Sequence, residues 1–268
     1  MRAPSHYVIR GGQEGKRRLE ILARVMWPTT FQLLKRIGVC EGMFCLDLGC
    51  GGGDVAIGIA RLVGAKGRVV GIDMDSIKLG AARQEAARQG LSHVEFRDGN
   101  VLEWSEESAY DLIYARFLLT HLRDRDVLVA RMRRALRPGG VLAVEDIDFT
   151  GYFCHPSNDA FNRYVELYRA VVLLRGGDPD IGPKLHNLLF QAGFQSVSLH
   201  LVQPVHVDQE GKEICLSTLV NIAEAVLAEG ITQEAELSAV ISELERFTLD
   251  ATTIVGFPRV FQAWGRRA

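Results

Sequence analysis

Glycines between two aspartates form the part of this sequence with the clearest chemical meaning. Asp47 stands before the run Gly-Cys-Gly-Gly-Gly at 49–53, and Asp54 directly follows it. The apolar run 44–48 predicts a strand, and the largely apolar stretch 54–63 predicts a helix. Glycines in a turn between such elements let a ligand approach the backbone closely, at the edge where open parallel sheets bind ligands. We therefore predict a ligand site at this turn.

The charge of the turn indicates which class of ligand it takes. A dinucleotide fingerprint would place a small residue where this chain has Asp54. Two carboxylates beside a helix N-terminus would also repel a pyrophosphate, which such termini normally attract. No Gly-Lys-Ser/Thr follows, so a P-loop is excluded. A positively charged ligand without phosphates fits best, and an NAD-dependent oxidoreductase is the alternative enzyme class.

Five segments in family order resemble the motifs of the class I S-adenosylmethionine-dependent methyltransferases. The first is the glycine turn, which resembles D-x-G-x-G-x-G. The other four are Val69–Asp73, Gly99–Val101, Tyr110–Arg116 and Leu136–Gly140. The resemblance implies S-adenosyl-L-methionine as cofactor, S-adenosyl-L-homocysteine as its product, and transfer of a methyl group by in-line displacement.

The resemblance also implies a set of cofactor-binding residues. Asp47 would lie near the methionine amino group, or it would only tie down the turn. Asp73 would hold the ribose hydroxyls, and Asn100 would lie beside adenine, where many relatives carry Asp and Asp98 is a competitor. Arg116 would pair with a carboxylate, or it would be a surface arginine. The predicted set is Asp47, Gly49, Cys50, Gly51, Gly53, Asp73, Met74, Gly99, Asn100, Val101 and Arg116.

Three residues are candidates for acid-base chemistry at the same edge of the sheet. His121 follows the fourth predicted strand and would act as a base, or else it would pack at the start of a helix. Glu145 and Asp146, with Asp148, end the fifth strand. They would orient an acceptor, bind a divalent metal or form a solvated rim. Because no histidine accompanies them, we predict no metal site.

The alternation of strand and helix patterns over 43–149 predicts an α/β fold with a parallel sheet. The resemblance implies a doubly wound, mostly parallel seven-stranded sheet of the Rossmann-like methyltransferase type. We predict one domain over 1–268, with a core of 41–149, 193–207 and 253–268. The segments 1–40, 150–185 and 208–250 are predicted helical caps, and Tyr7 with the glycines at 11–12 is a candidate lid. The aromatic face of Phe161, Tyr164 and Tyr168 is predicted to belong to the core or to line the acceptor site.

The finer element predictions include three strands and two helix caps. The strands are Val141–Val144, Ser196–Val207 and Val255–Trp264, and Asp75 and Thr232 are predicted helix caps.

Composition narrows the function classes further. The 268 residues carry a net charge of −2, which argues against a nucleic-acid partner and favours a small-molecule acceptor. No apolar run reaches the roughly 18 residues of a membrane span, and the five cysteines form no C-x-x-C pair. We therefore expect a cytoplasmic protein with reduced thiols and without a membrane span, which could form a homodimer.

Several possibilities remain open from the sequence. The chain could be a non-catalytic binding or regulatory protein of this fold, or a cyclase that uses the sulfonium without transfer. The acceptor and its methylated atom (O, N, C or S) are undetermined.

Overall fold

The computed structural model describes residues 12–268, so Tyr7 and the glycine at position 11 of the predicted lid lie outside the described residues. Ten strands alternate with helices in chain order. The strands are β1 (Phe44–Leu48), β2 (Arg68–Asp73), β3 (Val94–Asp98), β4 (Tyr110–Arg116), β5 (Leu136–Asp148), β6 (Phe153–His155), β7 (Gln195–Val202), β8 (Val205–His206), β9 (Ile254–Gly256) and β10 (Arg259–Arg266). The helices are α1 (Gly12–Arg36), α2 (Asp54–Val63), α3 (Ser76–Arg88), α4 (Arg125–Ala135), α5 (Asp159–Leu174), α6 (Leu185–Gln191), α7 (Gln209–Ala228) and α8 (Glu234–Leu249).

Seven strands form one sheet in the order β3-β2-β1-β4-β5-β10-β7. Strand β10 runs antiparallel to both of its neighbours, and the other pairs are parallel. This confirms the predicted Rossmann-like methyltransferase sheet. The strand order reverses between β1 and β4, so their carboxyl ends open the crevice in which such sheets bind ligands.

Helix α3 shows how local chemistry sets an element next to this crevice. Asp75 caps its N-terminus by accepting hydrogen bonds from the backbone N–H groups of Ile77 and Lys78, as predicted. Gly90 ends the same stretch with a φ of 69°. Thr232, by contrast, is not the cap of α8. The cap position belongs to Gln233, and the Thr232 hydroxyl donates to Glu236 instead.

Two predicted strands are each divided in two, and one is longer than predicted. The run 196–207 breaks at Pro204 into β7 and β8, and the run 255–264 breaks at Pro258 into β9 and β10. Proline has no N–H to donate to a ladder. The pieces β6, β9 and β8 then form a separate three-stranded sheet. Strand β5 begins at Leu136, because the Pro-Gly-Gly turn is accommodated as an irregularity in its pairing with β4.

The four helices in the segments predicted as caps pack against one another. Helices α1, α5, α7 and α8 share a hydrophobic cluster that contains Phe161, Tyr164 and Tyr168, all buried. The ring of Phe149 stacks on that of Tyr168 at 4.0 Å. The aromatic face therefore belongs to the core between the caps and the sheet.

Two global expectations can be compared with the structure. All five cysteines are free thiols, as predicted. Within residues 12–268, no helix has the length and apolar character needed to cross a membrane.

Candidate active site

The glycine turn lies between β1 and α2 and adopts a backbone that favours glycine. Gly49, Gly51 and Gly53 have φ angles of 71°, 52° and 77°, in the left-handed region. The N–H groups of Gly49 and Cys50 both donate to the carbonyl of Ile72, at 2.8 and 3.1 Å. The turn is therefore held against the end of β2. Around Gly52, the space where a Cβ would stand is open to 4 Å.

Gly53 is the position at which the turn is least tolerant of a side chain. A Cβ there would lie 2.7 Å from the Phe96 ring and 2.8 Å from Ala82. We expect Gly53→Ala to destabilise the protein by about 2–4 kcal/mol, from backbone strain together with overpacking. Gly139→Ala is the matched control, since Gly139 has a φ of 80° but no atom within 4 Å of the added Cβ. Urea unfolding measures the free energy of unfolding of both variants. An equal decrease in the two would contradict the predicted overpacking at Gly53.

Asp73, the predicted ribose ligand, joins the glycine turn to the start of α3. Its Oδ2 accepts from the backbone N–H of Gly51 at 2.8 Å, and its Oδ1 accepts from that of Asp75 at 2.9 Å. Each carboxylate oxygen has further acceptor capacity, and the side chain is half-buried at the crevice. A vicinal diol could therefore donate to a carboxylate whose orientation is already set.

Asp47 is a buried carboxyl group under the turn with an incomplete set of partners. Its side chain is only 2% exposed, and its Oδ2 has no hydrogen-bond partner among the described residues. Burial raises the pKa of Asp47 to about 8, and the charge of Asp54 acts in the same direction, while Arg116 lowers it. A cationic group bound at the turn would stabilise the ionised form of this carboxyl group. The residue therefore suits an ammonium or sulfonium ligand.

Arg116 is neither a surface arginine nor a free partner for a ligand carboxylate. Its side chain is 9% exposed, and Nη2 lies 2.6 Å from Oδ2 of Asp54. Burial opposes the charge, but Asp54 holds the pKa of Arg116 above its ordinary value. Arg116 also donates to the Thr30 hydroxyl of α1 at 3.4 Å. Because Arg116 is paired with Asp54, Asp47 is the carboxyl group of the turn that has no ion-pair partner among the described residues.

The predicted adenine side lies at the end of β3. Asn100 accepts from the backbone N–H of Leu102 at 3.0 Å and donates to Glu103 at 3.0 Å, so a local turn already orients its amide. Val101 is buried, whereas Met74 is 62% exposed. Gly99 donates its N–H to the carbonyl of Asp73 at 3.0 Å. The adenine and ribose segments are therefore adjacent, and Asp98 is exposed beside them.

Cys50 carries a buried thiol within the glycine turn. Burial raises the pKa of its thiol well above the ordinary value, and the negative charge of Asp47 adds to this effect. A Cβ on Gly71 would lie 2.9 Å from Sγ, so the sulfur packs toward β2. Among the described residues, no group of histidine, cysteine and carboxylate side chains is arranged to hold a metal ion.

The acidic residues of β5 do not form a solvated rim, because Glu145, Asp146 and Asp148 are all buried. Asp146 accepts from the backbone N–H of Thr120 at 3.0 Å and from that of Ile147 at 2.9 Å. It therefore holds the turn after β4. Burial raises its pKa to about 7, against the effect of these hydrogen bonds.

Glu145 anchors helix α1 to the sheet. Its Oε2 accepts from the Thr30 hydroxyl at 2.5 Å and from the Tyr114 hydroxyl, and its Oε1 accepts from Gln262. Thr30 and Gln262 are 115 and 117 residues away in sequence. Local sequence patterns do not indicate contacts between residues so far apart, so both partners of Glu145 were missed at the sequence level. This geometry favours a structural role for Glu145, and its catalytic role stays a prediction.

We expect Glu145→Gln to lower the stability of the protein while leaving its affinity for S-adenosylhomocysteine unchanged. An amide cannot accept from all three donors, and an unsatisfied buried polar group costs about 1–3 kcal/mol. Glu95→Gln is the control, since Glu95 pairs on the surface with Arg68 and Arg97, where such pairs contribute less than about 1 kcal/mol. Thermal unfolding measures the melting temperatures of the Glu145→Gln and Glu95→Gln variants. A Glu145→Gln protein that melts like the parent would contradict the anchoring role.

His121 lies in a short turn after β4, Leu119–His121, and is buried. Burial lowers the pKa of His121 to about 3, and the charges of Arg18 and Lys78 act in the same direction. The imidazole is therefore neutral near pH 7. It follows the carboxyl end of β4, and its use as a base stays a prediction.

The site resembles those of known methyltransferases in both sequence and fold. A family model described as a methyltransferase domain matches residues 40–174, which is half of the chain. The chain belongs to this family. The family uses S-adenosylmethionine, and the matched residues of this methyltransferase domain include the glycine turn, Asp73, Asn100 and the carboxyl ends of β4 and β5.

Curated relatives and solved structures give the same result for this methyltransferase domain. It is 32% identical to the 2-phytyl-1,4-naphtoquinone methyltransferase of Trichormus variabilis over 50% of this chain and 57% of the relative. It is 33% identical to methyltransferase GfsG of Streptomyces halstedii over 60% and 62% of the two chains. The chain thus spans about three-fifths of the length of these curated relatives.

The solved structures are more distant and show the fold alone. Phosphoethanolamine N-methyltransferase 2 of Haemonchus contortus, in complex with S-adenosyl-L-methionine, has a TM-score of 0.57 and 18% identity. That match covers 94% of this methyltransferase chain and 57% of the other.

Proposed function

We propose that this chain is an S-adenosylmethionine-dependent methyltransferase that acts on a small-molecule acceptor. The observation that carries the proposal is the buried carboxyl group of Asp47, whose Oδ2 lacks a hydrogen-bond partner among the described residues directly under the glycine turn. A cation without phosphates is the ligand that completes it. Asp73 supplies a preoriented acceptor for ribose hydroxyls.

The residues of this chain support the cofactor in separate ways. Asp47 would hold the positively charged methionine end, and the left-handed glycines allow close approach to the backbone. Asp73 would bind the ribose, and the segment 99–101 would lie beside adenine. When bound, S-adenosylmethionine supplies the methyl group and leaves as a neutral thioether.

The protein would also have to align the acceptor with the methyl group and exclude water. Alignment and exclusion of water can supply much of the rate acceleration of methyl transfer. Helices α1, α5 and α7 pack against one another in one hydrophobic cluster with Ile147 of β5, and we assign the cover of the acceptor to them. His121 is the group beside the acceptor that could take a proton. Its low pKa makes it a weak proton acceptor, so we assign the larger effect to alignment.

Isothermal titration with S-adenosylhomocysteine tests the cofactor assignment. We expect saturable binding to one site per chain, and no comparable binding of NAD. Absence of saturable binding by a protein with a normal unfolding transition would overturn the proposal, and tighter binding of NAD would support an oxidoreductase. Transfer of labelled methyl from S-adenosylmethionine to a metabolite fraction below 1 kDa would then separate an enzyme from a non-catalytic member of the fold.

A further inference from the structure

A buried arginine lies in the cover of the crevice with no acidic partner among the described residues. Arg18 of α1 is 9% exposed, and its Nε donates to the Thr218 hydroxyl of α7 at 2.9 Å. The Thr218 hydroxyl in turn donates to the carbonyl of Ile214 at 2.6 Å. Arg18 forms no ion pair within the part of the chain that the structure describes. Buried charges in proteins are normally paired, so this guanidinium is suited to an anion from outside.

Arg18 lies near a buried histidine and two buried tyrosines. Its charge acts on His121 after β4, and on Tyr152 and Tyr164 after β5. The other charge that acts on His121 is that of Lys78, also positive and 3.3 Å from Asp75. The rings of Tyr152 and Tyr164 meet edge to face at 5.8 Å. Because Asp75 already pairs with Lys78, Arg18 is the buried cation of this region without an acidic partner among the described residues, and it lies near an aromatic wall.

Arg18 and its neighbour on α1 contact different parts of the molecule. Leu19, the next residue of α1, points to the turn and lies 3.7 Å from the position of a Cβ on Gly51. Consecutive residues of a helix point in directions about 100° apart, and Arg18 reaches α7 instead. The arginine beside the turn, Arg116, is already paired with Asp54.

We propose that Arg18, oriented by Thr218, binds a carboxylate group of the methyl acceptor. This inference rests on the proposed function, because it assigns a chemical class to the acceptor of the same site. The planar guanidinium offers parallel N–H donors that match a carboxylate, and a lysine would not reproduce this geometry. The tyrosine rings beside it favour an acceptor with an apolar or aromatic body.

Binding of benzoate and benzamide tests the inference, because these probes share one shape and differ in charge. Each is titrated into protein saturated with S-adenosylhomocysteine. We expect the parent protein to bind benzoate at least tenfold more tightly than benzamide, and Arg18→Met to lose this preference. Arg24→Met is the matched control on the same helix, since Arg24 pairs with Glu210 at the surface. It is expected to retain the preference.

Three results would overturn the inference. The first is the absence of a benzoate preference in parent protein that binds S-adenosylhomocysteine, which leaves the proposed function intact. The second is an Arg18→Met protein that loses affinity for S-adenosylhomocysteine but not for 5′-methylthioadenosine, which would assign Arg18 to the cofactor carboxylate. The third is an equal loss of the benzoate preference in Arg24→Met, which would assign the preference to the general charge of α1 rather than to Arg18.

Discussion

Asp47→Asn is expected to stabilise the ligand-free protein at pH 8 and to abolish tight binding of the cofactor. Burial raises the pKa of Asp47 from 3.8 to about 8 in the folded state. Between these values the folded chain retains a proton that the unfolded chain has released, so stability falls as pH rises from about 4 to about 8. Asparagine does not ionise and avoids this loss. We expect a gain of at least about 2 kcal/mol, or roughly 4 °C or more in melting temperature.

The same carboxyl group should make cofactor binding pH-dependent in the parent protein. Binding of a cation requires the ionised form, so affinity for S-adenosylhomocysteine should rise between pH 6 and pH 8 with release of up to one proton. Calorimetric titrations in buffers of different ionisation enthalpy measure the number of protons released on binding. Asp47→Asn should bind at least 30-fold more weakly and show no such dependence. Asp124→Asn, at an exposed position outside the site, is the control. Unchanged binding by Asp47→Asn would contradict the role of this carboxyl group.

Asp73→Asn is expected to cause the second large effect, a loss of cofactor affinity of about 100-fold. An amide replaces one of two acceptor oxygens, each of which already binds a backbone N–H, of Gly51 or of Asp75. The NH₂ group of asparagine then lies opposite one of these N–H donors or opposite a ribose hydroxyl, and that hydrogen bond is lost. Hydrogen bonds to charged groups contribute about 1.5–3 kcal/mol, which accounts for the expected loss of affinity. Titration with S-adenosylhomocysteine measures the loss.

Asp75→Asn is the matched control for this substitution. Asp75 lies two residues away and caps α3 through the N–H groups of Ile77 and Lys78. Asparagine caps helices about as well as aspartate, so affinity should change by less than about threefold. A similar loss in both variants would show that the local backbone, rather than a ribose contact of Asp73, controls binding.

The cofactor half of the site could be predicted from sequence because its determinants are local. The glycine turn, Asp47 and Asp54 lie within one strand-turn-helix unit, and short-range rules place them at one edge of a parallel sheet. The same rules identified Asp75 as a cap. They failed at Pro204 and Pro258, where each apolar run was predicted as one strand, although proline cannot donate to a ladder.

Sequence alone determined the sheet type, the acid-flanked turn and the position of Asp73 at the end of β2, since these depend on periodicity and on neighbours within about 30 residues. Tertiary structure alone decided what each buried charge is paired with. Arg116 pairs with Asp54, Glu145 meets Thr30 and Gln262, and Arg18 lies against Thr218. These pairs join segments 62 to 200 residues apart. A side chain's charge is visible in the sequence, but its desolvation and its partner depend on which distant segments fold over it.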